Sequence, residues 1–335
     1  MNAPAIVKHR IEDRAPRALG PALRRWETLL VVLLALVVVV GGATQKNFLD
    51  PYNLADSTFN FSEKALIALP IALLIIVREI DISVAGILAV ASVAMGAANA
   101  HGVPAPGLAA IGVLVGGLCG ALNAVLVTRF AIPSIVVTIG TMSLFRGIAL
   151  VVLGDQAYTG YPEGLSDWGQ GYFFGVIPRS FVILLLAAAA FAAVLHGSAW
   201  GRRIFAIGSN PMAAKYSGIP VDRYRFALFV VTGLMAGLAA VLLTGRIGST
   251  RPNIALGWEL EAITMVILGG VSIAGGSGTI GGVMLAVLTL GMVTYGLGLA
   301  NVPGILMTIV IGALLLVTIT VPALMRLGAP AKKGQ

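Results

Sequence analysis

HGSAWGRRIFAIGSNPMAAKYSGIPVDRYR, residues 196–225, is a polar segment set between long apolar runs. It holds five basic residues, Arg202, Arg203, Lys215, Arg223 and Arg225, and one acid, Asp222. Most of the chain around it is hydrophobic enough for lipid. Of 335 residues, 58% are hydrophobic and only 11% charged, with a mean hydropathy of +0.96. A soluble domain carries about 25% charged residues. The deficit sets the fold class as all-α and polytopic in a membrane. The 42 glycines agree, because small residues let membrane helices approach closely.

A spanning helix needs about 20 apolar residues, which gives about ten spans here. They are expected at 28–44, 65–77, 82–100, 107–127, 133–153, 181–195, 226–244, 260–271, 282–299 and 305–324. The spans at 65–77 and 260–271 are short, and each ends in a break. One break is Arg78-Glu79-Ile80-Asp81-Ile82-Ser83; the other is the Gly-rich stretch 269–278. Paired interruptions in the two halves point to a transporter built from internal repeats. Gly112, Gly116 and Gly120 are spaced by four, as are Gly233 and Gly237. Each set should form one close-packing helix face.

The net charge of +8 is clustered. Lys8, Arg10, Arg14, Arg17, Arg24 and Arg25 precede the first apolar run, and Arg326, Lys332 and Lys333 follow the last. With the basic loop at 196–225, this pattern places both tails (1–27 and 325–335) and the loop in the cytoplasm, around a transmembrane domain at 28–324. It argues against a nucleic-acid partner. Segments 45–64 and 154–179 then lie outside. The second carries Tyr158, Tyr161, Trp168, Tyr172, Phe173 and Phe174, either as an interfacial belt or as a docking rim.

Enzymatic chemistry has little to stand on. There is no G-x-x-x-x-G-K-[ST] loop, nor any Gly-Lys pair, so the chain has no ATPase site of its own. There is no H-E-x-x-H, and His9, His101 and His196 fall in terminal or loop segments. Cys119, the single cysteine, reads as a small packed hydrophobe. The first apolar run lacks an A-x-A site and reads as a retained transmembrane helix.

Charges at bilayer depth are costly and usually functional. Arg78, Glu79 and Asp81, with Ser83, mark either a turn at the cytoplasmic edge or a gate. Asn123, Thr141, Ser143 and Arg146 either satisfy helix backbone or line a pore. Glu259 and Glu261 follow Arg246 and Arg251; they make either loop ion pairs or contacts to a hydroxylated ligand or its delivery protein. The candidates for a translocation path or gate are Arg78, Glu79, Asp81, Ser83, Asn123, Thr141, Arg146 and Glu261.

The basic loop has local structure of its own. Ser209 or Asn210 can cap a helix whose first turn holds Pro211. Residues 212–216 continue it, Gly218 stops it, and Asp222 can cap the next span. A helix of about two turns is expected on the cytoplasmic face, either docked in a partner's groove or serving as a connector.

Four stretches carry a family resemblance: Ile80-Asp81-Ile82-Ser83-Val84; 132–142 (IPSIVVTIGTM) with Phe145-Arg146-Gly147; Gly208-Ser209-Asn210 with Ala213-Ala214 and Ser217-Gly218-Ile219; and Leu268-Gly269-Gly270-Val271-Ser272 with Gly275-Gly276-Ser277-Gly278. With them the chain resembles the permease subunits of bacterial ABC importers for ribose-like sugars and related small polar ligands. The resemblance implies an inner-membrane dimer of identical or paralogous permease chains. It implies a periplasmic sugar-binding protein above, and ATPase subunits below that hold ATP and magnesium. No cofactor is expected on this chain. Ser209, Asn210, Ala213, Ala214, Ser217 and Gly218 would dock on the ATPase. Arg78-Glu79 replaces the Gly-Gly common in the family, and Ala85 stands where Gly is frequent. The Arg-Glu pair resembles permeases for rhamnose and for the furanosyl signal autoinducer 2. The expected function is ATP-driven import of a monosaccharide, with rhamnose or a ribose-like sugar favoured. The alternatives are a secondary transporter driven by an ion gradient, an uncoupled channel or structural protein, or an ABC permease for autoinducer 2, nucleosides or branched-chain amino acids.

Overall fold

The computed structural model describes residues 26–327. Of the tails, only residues 26 and 27 and the backbone of 325–327 are described; the basic residues before 26 and after 327 lie outside the described residues. Helix α1 is Trp26–Thr44, α2 Pro51–Ser57, α3 Phe59–Ile76, α4 Val84–Asn99, α5 Ala105–Thr128 and α6 Ser134–Leu153. After α7 (Glu163–Gln170) come α8 (Arg179–Gly197), α9 (Ala199–Ser209), α10 (Pro211–Tyr216) and α11 (Val221–Ile247). The chain closes with α12 (Trp258–Leu268), α13 (Ile280–Leu299) and α14 (Gly304–Leu327). Among the described residues, seven helical stretches are long and apolar enough to cross a membrane: α1, α2 with α3, α5, α6, α8, α11 and α13. The shorter α4, α12 and the start of α14 complete the series in the expected order.

Helix α3 is the centre. From Ala65 onward it is apolar on every face, and residues Ala65 to Ile76 are all buried, as expected of a helix enclosed by others. It starts at Phe59, six residues before the expected 65. Glu63 and Lys64 therefore lie inside the helix, where Arg246 and Glu261 from other helices neutralise them.

The two glycine stripes meet each other. A Cβ on Gly116 would sit 2.8 Å from Gly237 Cα, and one on Gly120 would sit 2.9 Å from Gly233 Cα. Gly112 and Gly237 are likewise in backbone contact. Helices α5 and α11 thus run antiparallel with bare backbone between them, which brings opposite ends of the two together.

The structure departs from expectation in the basic loop. Residues 199–209 form α9, with Ser198 accepting from Gly201 N at 3.3 Å and with Ile204 and Ile207 buried. His196 closes α8, and its Nε2 accepts from Ile280 N at 3.4 Å. Asp222 makes no capping bond; it sits inside the first turn of α11, where its charge suits the helix N-terminus.

The face opposite α10 is closed by loops holding four two-residue strands: β1 (Tyr158–Thr159) pairs with β4 (Ser249–Thr250), and β2 (Tyr172–Phe173) with β3 (Ile177–Pro178). Tyr161 and Thr250 hydroxyls lie 2.6 Å apart. Tyr172 donates to Asp56, and the adjacent carboxylate pushes the phenol's pKa up to about 12. The aromatics of this segment divide: Tyr158 packs on Gly96, whereas Phe174 is 97% exposed. Apolar side chains on α1 and α6, such as Val39 and Val151, also face outward, as lipid contact requires.

Gly233→Leu should drive α5 and α11 apart. Overpacking costs about 1–3 kcal/mol or more, so the purified chain should unfold several degrees lower in a detergent thermal-shift assay. Gly281→Ala, where a Cβ meets nothing within 4 Å, should melt like the parent.

Candidate functional site

Three distant pieces of chain converge on the face that carries α10. The first is the end of α3 with the break that follows it. The second is the end of α9, and the third is the Gly-rich loop after α12. Gly276 N donates to Ile76 O at 2.9 Å. Gly208 is pressed against both Ile76 O and Gly276, with no room for a Cβ. Gly275 and Gly276 have φ of +82° and +75°, a left-handed backbone that glycine adopts without strain.

Arg78 and Glu79 join this junction to the segment around α10. The Arg78 guanidinium donates to Gly208 O (Nε, 2.6 Å) and to Ser209 O (Nη2, 2.7 Å). These carbonyls lie immediately before α10. Glu79, buried, forms an ion pair with Arg225 Nε at 2.8 Å, in the second turn of α11, the helix that follows α10. Two adjacent residues thus grip the chain on either side of the short helix. Arg78 has φ +68°, which costs a non-glycine residue about 1–2 kcal/mol. Its two hydrogen bonds offset that cost at about 1 kcal/mol each. This is where the sequence has Arg-Glu in place of Gly-Gly.

Helix α10 is capped at both ends. Asn210 Oδ1 accepts from Ala213 N at 3.0 Å. Ser209 does not cap; its hydroxyl bonds Phe205 O. At the other end Gly218 N donates to Lys215 O and Ile219 N to Ala214 O, with Gly218 at φ +82°, the Schellman arrangement. Ala214 is buried, while Ala213 and Ser217 face outward. Beside them Met212 is 61% exposed and Tyr216 85%. These two large side chains present the outward surface of α10.

The remaining path candidates separate. Asp81, Ser83 and Asn123 form one buried cluster: Ser83 N and Oγ donate to Asp81 Oδ1 at 2.8 and 2.6 Å, and Asn123 Nδ2 donates to Ser83 Oγ at 2.8 Å. Ile80 in the same break is held by α6, its N–H donating to Ser134 Oγ (3.2 Å) and its carbonyl accepting from Thr138 Oγ1 (3.3 Å). Thr141 lies on α6, its hydroxyl turned back to Thr138 O. Arg146 Nη1 donates to Pro252 O and Ile254 O, both at 2.8 Å, and so satisfies the irregular segment between α11 and α12. Glu261 lies towards the opposite face and pairs with Lys64, not with Arg246 or Arg251. The second break is bracketed as well. Trp26 Nε1 donates to Leu268 O at 2.6 Å, and Thr279 Oγ1 donates to Glu27 Oε1 at 3.0 Å.

Residues 53–319 match the protein family described as branched-chain amino acid transport system / permease component. The chain belongs to this family and is a multi-pass permease component of an ABC importer. It is also similar to the autoinducer 2 import system permease protein LsrD of Escherichia coli (strain K12), with 37% identity over 300 residues, 88% of this chain and 91% of that one. The protein of the same name from Shigella flexneri matches to the same extent. No solved structure matches the chain.

Arg78→Ala should lose both carbonyl contacts and keep the backbone strain, whereas Arg78→Gly loses the contacts and relieves the strain. Arg78→Ala should therefore be the less stable by about 1 kcal/mol. In both variants, amide exchange across 210–218 should speed up roughly tenfold, as read by mass spectrometry.

Proposed function

We propose that this permease moves a small neutral hydroxylated ligand inward across the bacterial inner membrane by alternating access. Autoinducer 2 is the first candidate, because the relatives named for its import align over most of the chain. Rhamnose comes next, on the Arg78-Glu79 pair, and ribose-like sugars after it, on the four stretches of family resemblance. Helix α10 docks on an ATPase subunit that holds ATP and magnesium, so this chain needs no cofactor of its own. The loop 196–225 and both tails are then cytoplasmic, and a periplasmic binding protein delivers cargo to the opposite face. A second permease chain covers part of the exposed apolar surface, and lipid covers the rest.

The observation that carries this reading is the grip of Arg78 and Glu79 on the two sides of α10. A push on α10 from below has a direct route into the break after the central helix. That break contacts the Asp81–Ser83–Asn123 cluster and α6, so displacement at the surface reaches polar groups inside the bundle. A secondary transporter would have no use for a doubly capped surface helix joined in this way.

Tyr216→Asp and Met212→Asp test the docking. Each adds charge to the exposed face of α10 without touching its caps. ATP-dependent uptake should drop to background, and the ATPase should no longer co-purify, while the amount of permease in the membrane stays the same. Wild-type uptake in both variants would sink the assignment.

A further inference from the structure

On the face opposite α10 lies a cavity of about 530 Å³. It is an open cleft walled by the starts of α3, α12 and α14 and by the ends of α11 and α13. Asn60, Lys64, Arg246, Trp258, Glu261 and Tyr295 line it. Lys64 Nζ is 2.5 Å from Glu261 Oε2 and rides 5.2 Å above the Trp258 ring. Arg246 Nε donates at 2.7 Å to Glu63 Oε1, which is fully buried behind the wall.

The chemistry of this wall selects its guest. Two cations and two carboxylates cancel, so the cavity offers no net field to hold an ion. An apolar guest would strip water from the paired charges with nothing in exchange. A neutral molecule with several hydroxyls suits it better. Each hydroxyl can donate to a carboxylate and accept from an ammonium or guanidinium group. The C–H faces of such a molecule can pack on Trp258 and Tyr295. The volume falls within the range of about 300–1,000 Å³ usual for small-ligand sites. Four charged side chains gathered among apolar helices, one of them fully buried, are costly to keep and mark a functional place.

We propose that this cavity binds a small neutral polyhydroxylated ligand. Resting on the importer reading above, it is where the permease receives its cargo before the path through the bundle opens. Lys64 and Glu261 supply the paired hydrogen-bonding groups, Asn60 and Arg246 flank them, and the two aromatic rings supply the apolar wall.

Gly298 and Gly304 also line the cavity. A Cβ on Gly298 meets only Met307 Cε, at 3.9 Å, and one on Gly304 meets nothing within 4 Å. Gly298→Leu and Gly304→Leu therefore fill the space without disturbing the charged wall. The test uses the full chain in lipid nanodiscs and, for transport, the complete importer in liposomes. The probes are autoinducer 2, L-rhamnose and D-ribose, followed by Trp258 fluorescence against a Trp258→Phe blank. At least one probe should give a saturable change, and both filled variants should weaken it roughly tenfold. Uptake at low ligand concentration should fall by a similar factor while the partner ATPase keeps hydrolysing ATP. Two results overturn the proposal: no saturable signal from any probe, or parental binding and uptake in both filled variants. Saturable binding with no ATP-dependent uptake by the parent complex supports the cavity and removes the importer reading instead.

Discussion

A peptide group without a hydrogen-bond partner cannot remain in hydrocarbon, where each one costs several kcal/mol. This chain nevertheless interrupts its helices after α3, between α11 and α12, and after α12. Each interruption is satisfied from elsewhere in the sequence. Ser134 and Thr138 take the two backbone groups of Ile80. Arg146 takes the carbonyls of Pro252 and Ile254. Gly276 and Ile76 join two of the interrupted stretches directly. The arrangement of the bundle follows from these demands, because each forces two remote helices into contact.

The same demands give the molecule its polarity. One face collects the ends of α3 and α9, the start of α1 and the Gly-rich loop around α10. The other collects the ion pairs of α3 with α11 and α12 beneath a cap of short strands. Helix α3 runs between the two and is buried along most of its length. A surface event on the first face meets chain ends that are already hydrogen-bonded to each other. Slack is small there, since Gly208 admits no side chain between Ile76 and Gly276.

Much of this was legible in sequence wherever the signal was local. Apolar runs placed the spans to within a few residues, except at the starts of α3 and α11, which begin at Phe59 and Val221 and not at the expected 65 and 226. The caps of α10 were readable because Asn210, Pro211 and Gly218 act over one turn. Pairings across the chain were not. Glu63 and Lys64 look like the end of a loop until Arg246 and Glu261, 183 and 197 residues away respectively, are placed beside them. Helix α9 was hidden by its glycines and arginines, although it buries Ile204 and Ile207. The glycine stripes announced close packing, but nothing in either stripe named the other as its partner. The grip of Arg78 on α10 was equally hidden, because it binds backbone carbonyls, which every residue has.

The seam between α5 and α11 has a thermal consequence. Inside a bilayer the helices are not driven together by water, so their attraction is mostly dispersion between closely spaced atoms. Hydrophobic association weakens as temperature falls; a glycine-to-glycine seam in lipid has no such dependence. This pair of helices should hold its spacing in a chilled cell as firmly as in a warm one. Any weakening in the cold must then come from apolar side chains that meet water, such as Met212 and Tyr216 on α10, and not from this frame.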